Sequence, residues 1–154
     1  MCLAYHPSLN ISSFEEAISK GYRIVNRNIG SGTRILLDYM LDKIAVKLGK
    51  DPNGLRKNLS GYEFEVKTHD DVAKAISSGK ADFGLLPRFT ALNYGLKCIH
   101  LVWERYDLVI PKKKKEKDSI KKFIEFMKSD SVFELINKTN GYRCDKGLGE
   151  VIEL

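Results

Sequence analysis

The sequence predicts an α/β protein built around a parallel sheet. Three observations carry this. β-rich runs alternate with runs of helical periodicity through the first 110 residues. Most of these runs stop at a glycine or a proline. Of the 154 residues, 43% are hydrophobic and 30% charged, a globular composition long enough to bury the core of one domain. Strands alternating with helices make βαβ units, whose strands lie parallel.

The elements follow in order. Ser13 with Glu16 three residues on forms a capping box and predicts a helix over 14–19, ended by Gly21. Residues 22–26 (YRIVN) read as a strand, and 27–32 as a loop with two glycines. Leu36, Met40, Ile44 and Leu48 recur every four residues and predict a helix over 33–48, with Leu37 and Leu41 widening its stripe. Gly49, Asp51, Pro52, Asn53 and Gly54 end it in a polar turn.

Residues 62–67 alternate with period two, the pattern of a strand with one buried face and with Glu63 and Glu65 toward solvent. Residues 68–71 offer an N-cap to a helix over 72–78, closed by Gly79. A buried strand over 81–86 stops at Pro87, and a brief helix over 88–94 stops at Gly95. Two further strands are predicted over 98–102 and 105–110, with a break at Trp103 and Glu104 where the chain crosses between lobes. Cys98 belongs to the core of the first of these. Two amphipathic helices over 119–127 and 132–137 precede a loose, Gly-rich tail over 140–154. The chain thus enters on a loop and a short helix, and its last helices have few strands to cover. This reads as one complete lobe (about 10–103) plus a return segment and helices (about 104–140) that belong with another lobe.

Several function classes fall away. No apolar run approaches the roughly 20 residues of a transmembrane helix, so no membrane partner is expected. Residues 1–10 lack a signal-peptide pattern, and Cys2, Cys98 and Cys144 form neither a disulfide framework nor a metal knuckle. A cytoplasmic location follows as the expectation. His6, His69 and His100 have no metal-ligand spacing, so neither metal nor cofactor is expected. The net charge is +6, of which a local +5 sits between Lys112 and Lys122. A single lysine run is solvated chain more often than a binding face, so direct contact with nucleic acid is not expected.

The chemistry-bearing segment is 26–34, NRNIGSGTR, between a strand and a helix. A helix start leaves backbone N–H groups without partners and carries partial positive charge. The glycines allow close backbone approach, and Ser31 and Thr33 add hydroxyls. Together these suit an oxyanion. Neither the P-loop nor the GxGxxG spacing is present, because Ile35 stands where the third glycine of the latter would be. The alternative is a tight strand–helix turn with Thr33 as N-cap. In a parallel sheet the strand C-termini share one edge. Three loops (26–33, 68–71 and 86–88) therefore converge, each opening a helix, with Arg27, Arg34 and Arg88 as candidate counter-charges. No nucleophile is placed beside His69 and Asp70, so no catalysis is expected.

Residues 23–38, RIVNRNIGSGTRILLD, resemble the NRxxGSGTRxLLD signature of the periplasmic-binding-protein-like domain found with molybdopterin-biosynthesis proteins and molybdate-responsive regulators. Three further pieces agree in order: Thr68-His69 before a helix, GKADFGL at 79–85, and ERYDLVIP at 104–111. The resemblance covers about 10–141. It implies the type II fold, in which two α/β lobes close on a ligand at their hinge, and it implies binding without turnover of a molybdate- or tungstate-like oxyanion or a molybdenum-cofactor-related ligand. Ser31, Gly32 and Thr33 would then form one wall, Thr68 and the backbone at Leu86 another, with Tyr106 reaching in from the hinge and Asn26 and Arg27 touching ligand or bracing the loop. The resemblance also implies a first lobe, which this sequence lacks, so a partner chain or a second copy would supply that wall. The rival readings are a regulatory module using the lysine run on nucleic acid, an enzyme acting on a phosphorylated or pterin substrate, and a remnant with only a structural role.

Overall fold

The computed structural model describes residues 1–144 and 147–153, which fall into two units, Met1–Trp103 and Glu104–Leu154. The first unit holds β1 (Cys2–Tyr5), α1 (Phe14–Ser19), β2 (Ile24–Arg27), α2 (Gly32–Lys47), α3 (Pro52–Asn58), β3 (Glu65–Val66), α4 (His69–Ser77), β4 (Phe83–Leu86), α5 (Arg88–Asn93) and β5 (Lys97–His100). The five strands form one sheet in the order β3-β2-β4-β1-β5. Strands β3, β2 and β4 pair in parallel. β1 pairs antiparallel with both β4 and β5, so four strands run one way and β1 runs the other.

Strand alternation sends successive side chains to opposite faces. Leu3, Tyr5, Ile24, Phe83 and Leu85 point to one face, where Phe14 of α1, Leu37, Leu41 and Ile44 of α2 and Leu55 of α3 cover them. Cys2, Ala4, Val25 and Leu86 point to the other, under Val72, Ala73 and Ile76 of α4 and Ala91 of α5. Each fully buried large aliphatic or aromatic side chain here contributes about 1.5–3 kcal/mol. Two glycines permit this packing. A Cβ at Gly84 would lie 2.9 Å from the Val25 carbonyl and from Val72 Cγ1, so α4 sits directly on β4 there. Gly61 has φ +82° and abuts the Ile24 backbone.

Five expectations need correction. Residues 2–5 form β1, an interior strand that four apolar residues are too short to announce by periodicity. The polar turn after α2 contains α3, because Asp51 caps the Gly54 N–H and Pro52 occupies the first turn, where no N–H is required. The strand expected over 62–67 shrinks to Glu65–Val66, since Tyr62 and Phe64 bond back to Leu59 and Gly61 in turns. Residues 105–110 carry no strand. Cys98, expected in the core, is half-buried.

The capping residue of α1 stands as read: Ser13 Oγ accepts from Glu16 N–H at 3.1 Å. The reciprocal bond differs by one residue, because Glu16 Oε2 accepts from Ser12 N–H.

The second unit holds a 3-10 turn (Lys112–Lys114), α6 (Asp118–Met127) and α7 (Asp130–Lys138). Val132 of α7 is buried, whereas no residue of α6 is fully buried. Lys121 pairs with Glu116 and Lys115 with Glu153. The described part of the tail forms turns, with the Cys144 N–H bonded to Asn137 Oδ1 at 3.3 Å. Asp145, Lys146 and Leu154 lie outside the described residues.

Candidate anion site at the sheet edge

Register brings the loops to one edge. Arg27 stands opposite Val66, and the Val25–Gly84 pairing continues to put Arg27 level with Leu86. Helices α2, α4 and α5 all begin just beyond these strand ends.

The three helix starts are not equivalent. At α2, Ser31 is the N-cap and its Oγ accepts from Arg34 N–H at 3.2 Å. Gly32 and Thr33 occupy the next two positions, whose N–H groups have no intrahelical acceptor. No acidic residue lies in this first turn, so its positive pole is uncancelled. Gly30 turns the chain with φ +86°, and Gly32 is exposed with open space around it. Thr33 is 8% exposed. At α4, Thr68 Oγ1 accepts from Asp71 N–H at 3.0 Å and donates to Asp71 Oδ2 at 2.7 Å. Asp70 and Asp71 both lie in its first turn. That pole is therefore met by the helix's own carboxylates. Helix α5 is six residues long and lacks a side-chain cap. The expected convergence of three positive poles reduces to α2.

The arginines also divide. Arg34, a candidate counter-charge by sequence, is 6% exposed and committed inside the fold. Its guanidinium bonds Asp38 at 3.2 Å and Glu65 at 2.6 Å and stacks 4.3 Å over the Tyr62 ring. This network raises the Arg34 pKa against the opposing effect of burial. Glu65, exposed as its alternation predicts, is also the ion-pair partner of Arg34.

Arg27 is different. Its Nη1 donates to His69 Nε2 at 3.1 Å, and among the described residues it pairs with no carboxylate. Burial, then the Arg27 charge, pushes the His69 pKa down to about 4. A ring accepting at Nε2 is neutral and carries its proton on Nδ1. Arg27 Nε and His69 Nδ1 are both buried without a hydrogen-bond partner. Polar groups left so are uncommon in native folds.

Asn26 is 2% exposed. Its Nδ2 donates to the Tyr62 carbonyl and its N–H to the Phe64 carbonyl at 2.8 Å, while Oδ1 is buried unpartnered. It braces the strand–turn junction. Leu86 is fully buried, and its carbonyl accepts from Cys2 Sγ at 3.2 Å. Burial, then Cys98, pushes the Cys2 thiol up to about 12. Tyr106 belongs to the second unit and is 92% exposed.

Sequence reasoning meets His69 beside Asp70, among three unrelated histidines and in the Thr68-His69 piece of the resemblance, and gives it no role in the site. The three do lie apart: His6 Nδ1 meets Ser8 Oγ, His100 packs against Trp103, and His69 meets Arg27. Among the described residues no group of His, Cys, Asp and Glu could hold a metal ion. The signal for His69 was an arginine at a strand end and a histidine at a helix start, 42 residues apart, which means nothing until β2 and β3 are placed in register. No described helix is long and apolar enough to cross a membrane.

Residues 2–128 match the family described as the PBP superfamily domain. An uncharacterised protein of Bacillus subtilis, YvgK, is 33% identical over 143 residues, which is 93% of this chain. The chain spans 43% of that relative's length. Among solved structures, one from work on glutathione import in Gram-positive bacteria via GshT and the cystine importer TcyBC of Streptococcus mutans is 17% identical. It superposes with a TM-score of 0.53 over 94% of this chain and 61% of the other. A second, PstS from Borrelia burgdorferi, is 16% identical with a TM-score of 0.47, over 90% of this chain and 66% of the other.

Proposed function

The chain belongs to the PBP superfamily, and on that premise we propose that it binds a small oxyanion, of the molybdate or tungstate class or the related cofactor, without converting it. The observation that carries this reading is Arg27: a half-buried guanidinium at the strand edge with no carboxylate partner among the described residues. Such a charge is best satisfied by an anion from outside, with Arg's planar fork suiting an oxyanion edge. The Gly32 and Thr33 amides, the Ser31 hydroxyl and the uncancelled pole of α2 supply the remaining donors. Asn26 holds the strand end, and Thr68 caps α4 rather than offering its hydroxyl. The role is that of a sensor or accessory domain, in which occupancy and not turnover is the signal.

Calorimetric titration with molybdate, tungstate, sulfate and phosphate tests it. Saturable heat with at least one is the expected result, and silence with all four would end this reading.

A second reading has one observation in its favour. Lys112, Lys113 and Lys114 are exposed in the 3-10 turn of the second unit, where they could meet nucleic-acid phosphates. Retention on DNA that weakens steeply with salt is its test.

A further inference from the structure

The three other arginines with ion pairs in the first unit, Arg23, Arg34 and Arg56, meet Asp82, Glu65 and Asp42. Arg27 alone of these four is held by an imidazole. The difference is chemical. A carboxylate orients a guanidinium and cancels its charge. A neutral imidazole orients it through one lone pair and leaves the charge whole.

The surroundings keep this ring neutral. It is the first residue of α4, and its Nε2 faces the Arg27 guanidinium at 3.1 Å, a fixed charge that disfavours a second cation. The charged groups acting on it are Arg27 and the Met1 ammonium, which disfavour protonation, and Asp70, which favours it. Of the three buried side-chain nitrogens without a hydrogen-bond partner among the described residues, one is Arg56 Nε, and the other two, Arg27 Nε and His69 Nδ1, belong to the two side chains of this contact. Both are donors in this protonation state, so the pair is short of acceptors and not of cations.

We propose, resting on the anion-binding reading above, that His69 is the positioning residue of the anchor: its neutral ring aims the Arg27 guanidinium while leaving that charge available to the ligand. Specificity for anions then depends on a residue that need not touch the anion. Replacing the lone pair by another neutral acceptor preserves the arrangement. Replacing it by a carboxylate preserves the orientation and removes the charge.

The experiment compares wild type with His69→Gln, His69→Asp and His69→Ala, titrated calorimetrically with molybdate, tungstate, sulfate and phosphate. Asp and Gln are both tolerated in a first helical turn, and Thr68 still caps α4. His69→Gln is expected to bind within about threefold of wild type, and His69→Asp to bind roughly 10- to 100-fold more weakly, the loss of a charge-assisted contact. His69→Ala falls between them. Nitrogen NMR of the ring, without any anion, is expected to show the proton on Nδ1. Equal binding by wild type and His69→Asp, or a ring protonated on Nε2, overturns the proposal and leaves the anion site standing. Wild type that takes up none of the four anions overturns the anion reading, and the proposal with it.

Discussion

Arg34 Nη1 bonds Glu65 Oε1 at 2.6 Å, and this pair ties the first turn of α2 to β3. Asp38 and Tyr62 complete the clamp: Asp38 meets Arg34 at 3.2 Å, accepts from the Tyr62 hydroxyl at 2.7 Å and lies 3.7 Å from Arg56. The turn that presents Ser31, Gly32 and Thr33 is thus fixed from behind by a nearly buried cation. Breaking a buried ion pair by removing one partner costs about 3–5 kcal/mol, and here Asp38 keeps Tyr62 and Arg56 while Glu65 loses its partner. Glu65 and Asp38 keep some exposure, which places Arg34→Ala at the lower end, about 3 kcal/mol. Urea denaturation should show a lowered midpoint with unchanged slope. A loss below about 1 kcal/mol, the scale of a surface pair, would contradict the clamp.

Gly61 and Gly49 both have positive φ, yet they should respond differently to alanine. A Cβ at Gly49 meets open space, so only the backbone conformation opposes it, at about 1 kcal/mol. A Cβ at Gly61 collides with the Ile24 backbone at the start of β2. Gly61→Ala should therefore cost at least about 3 kcal/mol, conformational strain and steric clash together. Thermal or urea unfolding of the two variants measures the difference, and equal costs would show that the turn can move away from β2.

Stability should fall in acid through His69. Its folded pKa of about 4 lies below the ordinary 6.5. Between those values the unfolded chain binds a proton that the folded chain does not, so unfolding gains protons and stability drops as pH drops. The contribution is complete above about pH 6.5 and exhausted below about pH 4. His69→Gln should flatten the pH dependence of the urea midpoint within that window. Asp82, held below the usual carboxylate range by its bonds to Arg23, adds a second loss beginning below its ordinary 3.8. Asp82→Asn should remove only that lower limb.

Much of this architecture was legible from local chemistry. The Ser13 and Thr68 caps, the alternation of strands and helices, and the stops at Gly79, Pro87 and Gly95 place most elements of the first unit within a few residues, while the cap of α2 is Ser31 where the sequence offers Thr33. What escaped were elements whose identity is set by neighbours. β1 is a strand because β4 and β5 flank it. Residues 62–64 have strand periodicity but turn geometry, because Gly61 redirects the chain against Ile24. The site shows the same divide. Local sequence identifies the α2 start, and cannot separate Arg27 from Arg34. Arg34 lies one turn before Asp38 and across from Glu65, whereas Arg27 projects on the Val25 face toward α4. That difference decides which cation is free for a ligand.

The most direct measurement of the central claim is NMR mapping of the isotopically labelled chain during titration with an oxyanion, beginning with molybdate. The expected result is saturable shifts concentrated at Arg27 Nε–H and at the Gly32 and Thr33 amides, abolished in Arg27→Ala while the rest of the spectrum is retained. Shifts confined to Lys112–Lys122, or an Arg27→Ala variant that responds as wild type does, would contradict it.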